Sequence, residues 1–224
     1  MIAMKLIIGN KNYSSWSLRG WLMLKAFDIP FEEISLTLFS DHFYTVLKDY
    51  TPVEKVPVLV DGELSVWDSL AICEYINEQY LDGKGWPKEV QARAIARAMV
   101  SEMHSGFTAL RNEMPMNCRA RRSVLLSEAA KTDIARIDRL WAECLSNYAG
   151  SNAWLFDEFG IVDVFFAPIA LRFKTYGIQL STESAAYQEH LLAHPAMALW
   201  LMDALKETDV IQEDEAGEEL GPLN

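Results

Sequence analysis

Three serines, Ser14, Ser15 and Ser17, stand together where an apolar N-terminal stretch changes into a helical pattern. A serine at the start of a helix caps it, because the side-chain oxygen accepts a hydrogen bond from a backbone amide that otherwise has no partner. One serine is enough for that purpose. Hydroxyls and free amides at the positive end of a helix can also bind an anion, including a thiolate. The residues predict either a cap or an anion site.

Two further residue pairs could bind a polar ligand. Val56-Pro57 begins an extended segment, as in an edge strand, and a cis bond there would expose the preceding backbone to a partner. Asp68-Ser69 lies where a strand pattern ends and a helix pattern begins. This pair is typical of a helix cap, but it would also suit a ligand that carries an ammonium and a carboxylate group.

These residues belong to a segment in which strand and helix patterns alternate. Asp61-Gly62 is a strong hairpin signal between two apolar runs. The first crossover makes its two strands parallel, whereas the hairpin is antiparallel, so we expect an α/β unit with a mixed four-stranded sheet. The predicted strands cover 6–8, 31–36, 56–60 and 63–67, and the predicted helices cover 14–27 and 69–80.

No strand pattern follows the turn residues 81–87. Apolar spacing predicts long helices instead, over 88–114, 127–148, 161–173 and 190–205, with the third as the central buried helix. We therefore expect an α/β domain over 1–81 and an all-helical domain over 88–212. The acidic residues 213–224 should form a flexible tail.

The order of these features resembles the glutathione transferase family. Ser14 to Arg19 is similar to the S-S-x-S-x-R stretch of serine-type members, above all the zeta class, which includes maleylacetoacetate isomerase. The segment 51–59 is similar to the family's N-P-x-x-x-V-P-x-L, whose proline is cis. Residues 67–72 are similar to its E/Q-S-x-A-I element, with Asp68 in place of Glu. The resemblance implies a thioredoxin-like N-terminal domain followed by the helical C-terminal domain of glutathione transferases.

This sequence departs from the family pattern at two places. The Ser-Cys pair and the basic residues of zeta members are replaced by Ser15-Trp16 and Gly20-Trp21. In the capping segment S/T-x-x-D, Gly160 stands at the hydroxyl position, although Asp163 is still placed to reach back to the start of the helix.

The resemblance implies that glutathione is bound as a substrate and that the protein stabilises its thiolate for attack on a small electrophile. Ser14 is the implied hydrogen-bond donor to the thiolate, because it precedes Arg19 by five residues as in the family. Ser15 and Ser17 are the alternative donors. The implied glutathione-binding residues are Lys55, Val56, Pro57, Asp68 and Ser69.

The electrophile pocket should lie between the domains. Its candidate residues are Met103, Phe107, Arg111 and Met114, although core packing would account for some of them equally well. Arg111 also belongs to a basic group with Arg119, Arg121 and Arg122 that could attract an acidic substrate or could be a solvated helix end.

Glutathione transfer is the favoured reaction. Glutathione-dependent cis–trans isomerisation is the alternative, and a non-catalytic interaction protein with this fold is another. A thiol–disulfide oxidoreductase is disfavoured, because no cysteine lies at positions 14–17. His190 and His194 are spaced by four residues but lack the glutamate and third ligand of a zinc site, so we expect no metal.

The composition of the chain argues against nucleic-acid-binding proteins and membrane-spanning proteins. The chain of 224 residues has 20 Lys+Arg against 32 Asp+Glu, for a net charge of −12, which argues against a nucleic-acid partner. No apolar run approaches the ~18–20 residues of a membrane span. Three cysteines without a C-x-x-C motif fit reduced thiols, so we expect a cytoplasmic protein. The family resemblance implies a homodimer.

Overall fold

The structure, a computed structural model, describes residues 4–223 and begins with a mixed four-stranded sheet. The strand order is β2-β1-β3-β4. β1 is parallel to β2 and antiparallel to β3, and β3 and β4 form the hairpin around Asp61-Gly62. The predicted sheet is thus confirmed. Its elements are β1 (Lys5–Ile8), α1 (Ser15–Ala26), β2 (Glu32–Ser35), α2 (Asp41–Leu47), β3 (Val58–Asp61), β4 (Leu64–Trp67) and α3 (Ser69–Tyr80).

The helix α2 was not predicted from the sequence. Ser40 caps it by accepting from the Phe43 N–H at 3.1 Å. Phe43 and Leu47 then pack with Ile7 and Val58 in a small core on one face of the sheet. Only two buried residues of this seven-residue helix carry the apolar signal, which is why its periodicity is weak.

The second half is helical, as predicted, but two of the predicted helices are each broken in two. The segment 88–114 breaks at Gly106 and at Phe107, whose φ of 54° is left-handed. The segment 190–205 breaks at Pro195, which cannot donate to the preceding turn and begins a new helix. The helices are α4 (Val90–Ser105), α5 (Thr108–Glu113), α6 (Glu128–Tyr148), α7 (Ile161–Thr175), α8 (Thr182–Leu192) and α9 (Pro195–Ala204).

Helix α7 is the buried centre of this half and packs against α1, α4 and α8. Asp163 reaches back as predicted, accepting from the Gly160 N–H at 2.9 Å and from the Tyr187 hydroxyl at 2.8 Å. Burial raises the pKa of Asp163 to about 6. Position 160 requires glycine, because a Cβ there would lie 2.7 Å from the Gly85 carbonyl oxygen.

The prediction of a flexible tail over 213–224 is wrong for the part of it that the structure describes. Glu218–Pro222 forms a strand, β6, that pairs antiparallel with β5 (Ala120–Ser123), after a 3₁₀ turn at Gln212–Asp214. The helical half therefore also carries a two-stranded ribbon. The acidic run is ordered because its charges meet basic residues elsewhere: the Glu215 carboxylate forms ion pairs with Arg122 and Arg119.

The residues just before this tail hold the loop that precedes α1. The Glu207 carboxylate accepts from the backbone N–H of Lys11 at 2.6 Å and of Asn12 at 2.9 Å. Asp203 forms an ion pair with the Lys11 ammonium at 2.8 Å, and Asp209 accepts from the Asn10 side chain at 3.1 Å. The segment 203–209 is therefore bound to the loop just before the first helix.

Among residues 4–223 no helix is both long enough and apolar enough to cross a lipid bilayer.

Substituting Glu215→Gln should lower the free energy of unfolding by about 1–2 kcal/mol, because the nearly buried Arg122 guanidinium loses its charged partner. Urea denaturation would measure this. Glu219→Gln is the matched control, since the exposed Glu219 carboxylate lies 4.0 Å from the same guanidinium, and it should cost less than ~0.5 kcal/mol. Equal effects of the two substitutions would contradict this account of the tail.

Candidate functional site

A cleft of about 450 Å³ lies where the hairpin and α3 face α1 and the start of the helical half. All five predicted glutathione-binding residues line it, although they come from separate stretches of the chain. The lining residues are Trp16, Val53, Lys55, Val56, Pro57, Trp67, Asp68, Ser69, His104 and Arg111. The Val56–Pro57 peptide bond is cis, as the resemblance implies.

Asp68 is a helix cap and a cleft residue at once. Its Oδ1 accepts from the backbone N–H of Leu70 at 2.8 Å and of Ala71 at 3.3 Å, which caps α3. Its Oδ2 lies 3.1 Å from Nε2 of His104, a residue of the helical half. Asp68 therefore caps α3 with one oxygen and contacts the helical half with the other.

Ser69 has an unsatisfied hydroxyl. The residue is 2% exposed, and within residues 4–223 its Oγ has no hydrogen-bond partner. A buried hydroxyl without a partner is unfavourable by roughly 1–3 kcal/mol, so such groups usually have one. Since Ser69 lines the cleft beside Asp68, a polar ligand there could supply the missing partner.

The three serines make different hydrogen bonds at the start of α1. The Ser14 Oγ donates to the Ser17 Oγ at 2.7 Å and accepts from the Ser17 N–H at 3.4 Å. The Ser17 Oγ also accepts from the Gly9 N–H at 3.0 Å. The Ser15 Oγ accepts from Nη2 of Arg172, on α7, at 3.3 Å. Ser14 and Ser17 thus form the cap, whereas Ser15 contacts the helical half.

Three arginines lie around Ser15 and Trp16. Arg19 and Arg111 both lie over the Trp16 ring, at 4.3 and 5.5 Å from its centroid, and Arg172 contacts Ser15. Burial is the main cause that lowers the pKa of all three, to about 10 for Arg172. The charge of Arg111 lowers the pKa of Arg19 and Arg172 further, and the charge of Arg172 also lowers that of Arg19. Within the described residues none of them forms an ion pair with a carboxylate. The N-terminus of α1 therefore has a positive environment.

Three of the four residues predicted for the electrophile pocket belong to the buried core and do not line the cleft. Met103 and Met114 are fully buried in the core and Phe107 is 7% exposed, because α4 packs directly against α7. Only Arg111 of the four lines the cleft. Sequence analysis did not predict four of the lining residues. Trp16, Val53 and Trp67 lie within the segments that resemble the family but were given no role, and His104 lies outside those segments.

Comparison with known proteins points to one family. Residues 13–79 match the family model of the glutathione S-transferase N-terminal domain. Glutathione S-transferase Z1 of Arabidopsis thaliana is 28% identical over 171 residues, which covers 70% of this chain and 74% of the relative. A probable maleylacetoacetate isomerase of Caenorhabditis elegans is 37% identical over 99 residues, covering 44% of this chain and 45% of the relative.

Solved structures agree on the fold. A glutathione transferase homologue from Burkholderia, solved with bound glutathione, superposes with a TM-score of 0.71 at 20% identity, covering 92% of this chain and all of that one. An unclassified glutathione S-transferase of Bombyx mori gives 0.72 at 19% identity and covers 91% of this chain and 94% of its own. The chain therefore has the fold of the glutathione transferases, and residues 13–79 match their N-terminal domain.

Proposed function

We propose that this protein is a glutathione transferase that binds glutathione in the cleft and stabilises its thiolate for attack on a small electrophile. The observation that carries the proposal is the convergence of Lys55, Val56, Asp68 and Ser69 on one cleft next to the start of α1. The buried, unpartnered Ser69 hydroxyl supports it further.

Each part of the tripeptide has a chemical counterpart in the cleft. The Asp68 carboxylate suits the γ-glutamyl ammonium, and the Ser69 hydroxyl with the start of α3 suits the γ-glutamyl carboxylate. The backbone of Val56 can pair with the cysteinyl amide. Lys55 suits the glycine carboxylate. This assignment follows the family resemblance residue by residue.

Activation of the thiol requires the protein to favour its anion. A free thiol of pKa ~8.5 is only a few per cent ionised at neutral pH, and lowering its pKa by ~2 units takes ~2.7 kcal/mol. One hydrogen bond to a charged group contributes about 1.5–3 kcal/mol, and a helix N-terminus adds to it. A serine at the start of α1 can therefore supply the effect, with Ser14 the residue implied by family spacing and Ser15 and Ser17 the other candidates.

Isomerisation is the second candidate reaction. In it the thiolate adds to a carbon–carbon double bond and leaves again after rotation, so the same cleft would serve. The names of two relatives favour it, a maleylacetoacetate isomerase of Rattus norvegicus, 33% identical over 103 residues, and the Caenorhabditis elegans protein. No metal takes part in either proposed reaction.

Purified protein should be retained on immobilised glutathione and eluted by free glutathione. It should then be assayed with a panel of aryl halides, epoxides and maleyl diketo acids. Turnover of any member identifies the reaction class. Retention without turnover would favour a non-catalytic interaction protein, and failure to bind glutathione would rule out the proposed function.

Asp68→Ala should weaken glutathione binding by tenfold or more. A tenfold higher dissociation constant corresponds to about 1.4 kcal/mol, which one hydrogen bond to a charged group can contribute. Isothermal titration calorimetry would measure the dissociation constant. Ser127→Ala is the matched control: Ser127 caps α6 by accepting from the Ala130 N–H, so its loss removes a helix cap without touching the cleft. Equal affinity in the Asp68 variant and wild type would remove Asp68 from the binding site.

We also propose that two copies associate through a face formed by β4, α3 and α4. Strand β4 is an edge of the sheet, and five apolar side chains on these three elements are at least 44% exposed, of which Trp67 also lines the cleft. They are Leu64, Trp67, Tyr80, Val90 and Ile95. A second copy could cover this face by pairing it with itself, as in most homodimers.

Light scattering should give twice the chain mass of 25.4 kDa. The double variant Leu64→Glu, Val90→Glu should shift it to the single mass, because two carboxylates would then be buried at the contact. A wild-type protein of 25.4 kDa at micromolar concentration would contradict the dimer.

We place the protein in the cytoplasm. The three cysteines, Cys73, Cys118 and Cys144, are all buried and unbridged, which is compatible with a reducing compartment.

A further inference from the structure

We propose that His104 is a positioning residue for glutathione: its Nε2–H donates to Oδ2 of Asp68 and orients that carboxylate for the γ-glutamyl ammonium. This inference rests on the proposed glutathione transferase function. It adds the helical half to the binding of glutathione, because His104 belongs to α4 whereas Asp68 is the residue just before α3. Both residues line the cleft.

The two oxygens of the Asp68 carboxylate have different surroundings. Oδ1 accepts from the backbone N–H groups of Leu70 and Ala71. Oδ2 lies 3.1 Å from Nε2 of His104, which is within the range of an N–H···O hydrogen bond. One bonded oxygen leaves the plane of a carboxylate free to tilt, whereas a contact at each oxygen fixes that plane. The position of Oδ2 therefore depends on His104.

Oδ2 can still bind a ligand while it is in contact with His104. Each oxygen of a carboxylate offers about two lone pairs, so it can accept from two donors. The Asp68 side chain is 44% exposed, and within residues 4–223 no other nitrogen forms an ion pair with it. A ligand ammonium could therefore use the second lone pair of an oxygen that His104 already holds in place.

The imidazole of His104 is suited to donate as a neutral group. A carboxylate can only accept, so the hydrogen of a neutral imidazole belongs on Nε2, and Nδ1 is then a bare acceptor. Nδ1 is buried and has no hydrogen-bond partner among the described residues, so a second hydrogen there would find no acceptor. A charged imidazole would also repel the γ-glutamyl ammonium from the shared oxygen.

Packing holds the His104 ring without help from Asp68. The ring centroid lies 5.3 Å from that of Trp16, edge to face, and 6.0 Å from that of Phe165 on α7. The His104 carbonyl oxygen accepts from Nη1 of Arg111 at 3.3 Å. Contacts with α1, α7 and α5 thus place the ring, so the histidine can direct the carboxylate rather than follow it.

The benefit to binding comes from order that exists before the ligand arrives. A side chain that must become fixed when a ligand binds loses conformational freedom, and this loss weakens the affinity. Asp68 and the neighbouring Ser69 are the two residues proposed for the γ-glutamyl end. Since Ser69 is already buried, Asp68 is the one of the pair that needs a second contact to be held.

The test measures the dissociation constant of glutathione by isothermal titration calorimetry. His104→Leu removes the donor and keeps apolar contact with Trp16 and Phe165, so binding should weaken about fivefold, as for residues that act through a shared contact. His104→Gln places an amide N–H near the position of Nε2 and should restore binding to within about twofold of wild type.

A second ligand separates positioning from a general effect on the cleft. Glutaryl-cysteinylglycine is glutathione without its α-amino group, and it keeps both carboxylates and the thiol. Wild type and His104→Leu should bind it with equal affinity, because the group that Asp68 recognises is missing. By the same reasoning, His104→Leu should have no further effect on glutathione binding when it is added to Asp68→Ala.

Ser105→Ala is the matched control on α4. Ser105 is exposed, follows His104 directly, and donates to the Ser101 carbonyl oxygen at 2.9 Å. It does not line the cleft, so this variant should bind glutathione like wild type.

Several outcomes would overturn the inference. If His104→Leu binds glutathione as tightly as wild type, or more tightly, His104 does not position Asp68. If it weakens glutathione and glutaryl-cysteinylglycine by the same factor, His104 only supports the shape of the cleft. If the glutamine variant is as weak as the leucine variant, donation by a neutral group is excluded. If wild-type protein binds no glutathione at all, the proposed function itself fails.

Discussion

Helix α1 is packed on both sides, and the position of the cleft depends on this constraint. The run 17–24 is buried without interruption, against the sheet and α3 on one side and against α7 and α9 on the other. A helix that is buried all round cannot turn its polar residues to solvent. Ser17 and Arg19 must therefore find partners in the interior, and Arg19 finds one of its own on α7. The serine-rich start of α1 is thus positioned by both halves of the chain.

Burying two arginines without carboxylates has an electrostatic consequence. Carbonyl oxygens accept from part of each guanidinium, that of Phe165 from Arg19 and that of Met114 from Arg172, whereas Nη2 of Arg19 has no partner among residues 4–223. These oxygens satisfy hydrogen bonds but do not cancel a full charge, and desolvation of an unpaired charge is costly. The positive potential therefore remains at the N-terminus of α1, where the helix dipole has the same sign. An anion bound at this place would be stabilised by both.

Features coded by neighbouring residues could be predicted from the sequence. The Asp61-Gly62 turn sets the hairpin, and the Asp163 cap needs only the three preceding residues. Features that join distant residues could not. The Arg172 to Ser15 bond spans 157 positions, and neither residue type predicts the other. The pairing of His104 with Asp68 is of the same kind, since His104 lies in an ordinary helical pattern and only the packing of the two halves brings it to the cleft.

The net charge of the chain is −12, whereas the local charge at the site is positive. The ion pairs made by the tail account for this difference. Of the four arginines grouped by sequence, Arg119 and Arg122 are paired with Glu215 of the tail, whereas Arg111 lines the cleft and forms no ion pair with a carboxylate of residues 4–223. Acidic residues near the C-terminus also bind Lys11 and the loop before α1. They form ion pairs with Lys11, Arg119 and Arg122, whereas Arg111 in the cleft has no such partner among residues 4–223. Composition therefore describes the surface, and the chemistry of the site depends on which cations the fold leaves unpaired.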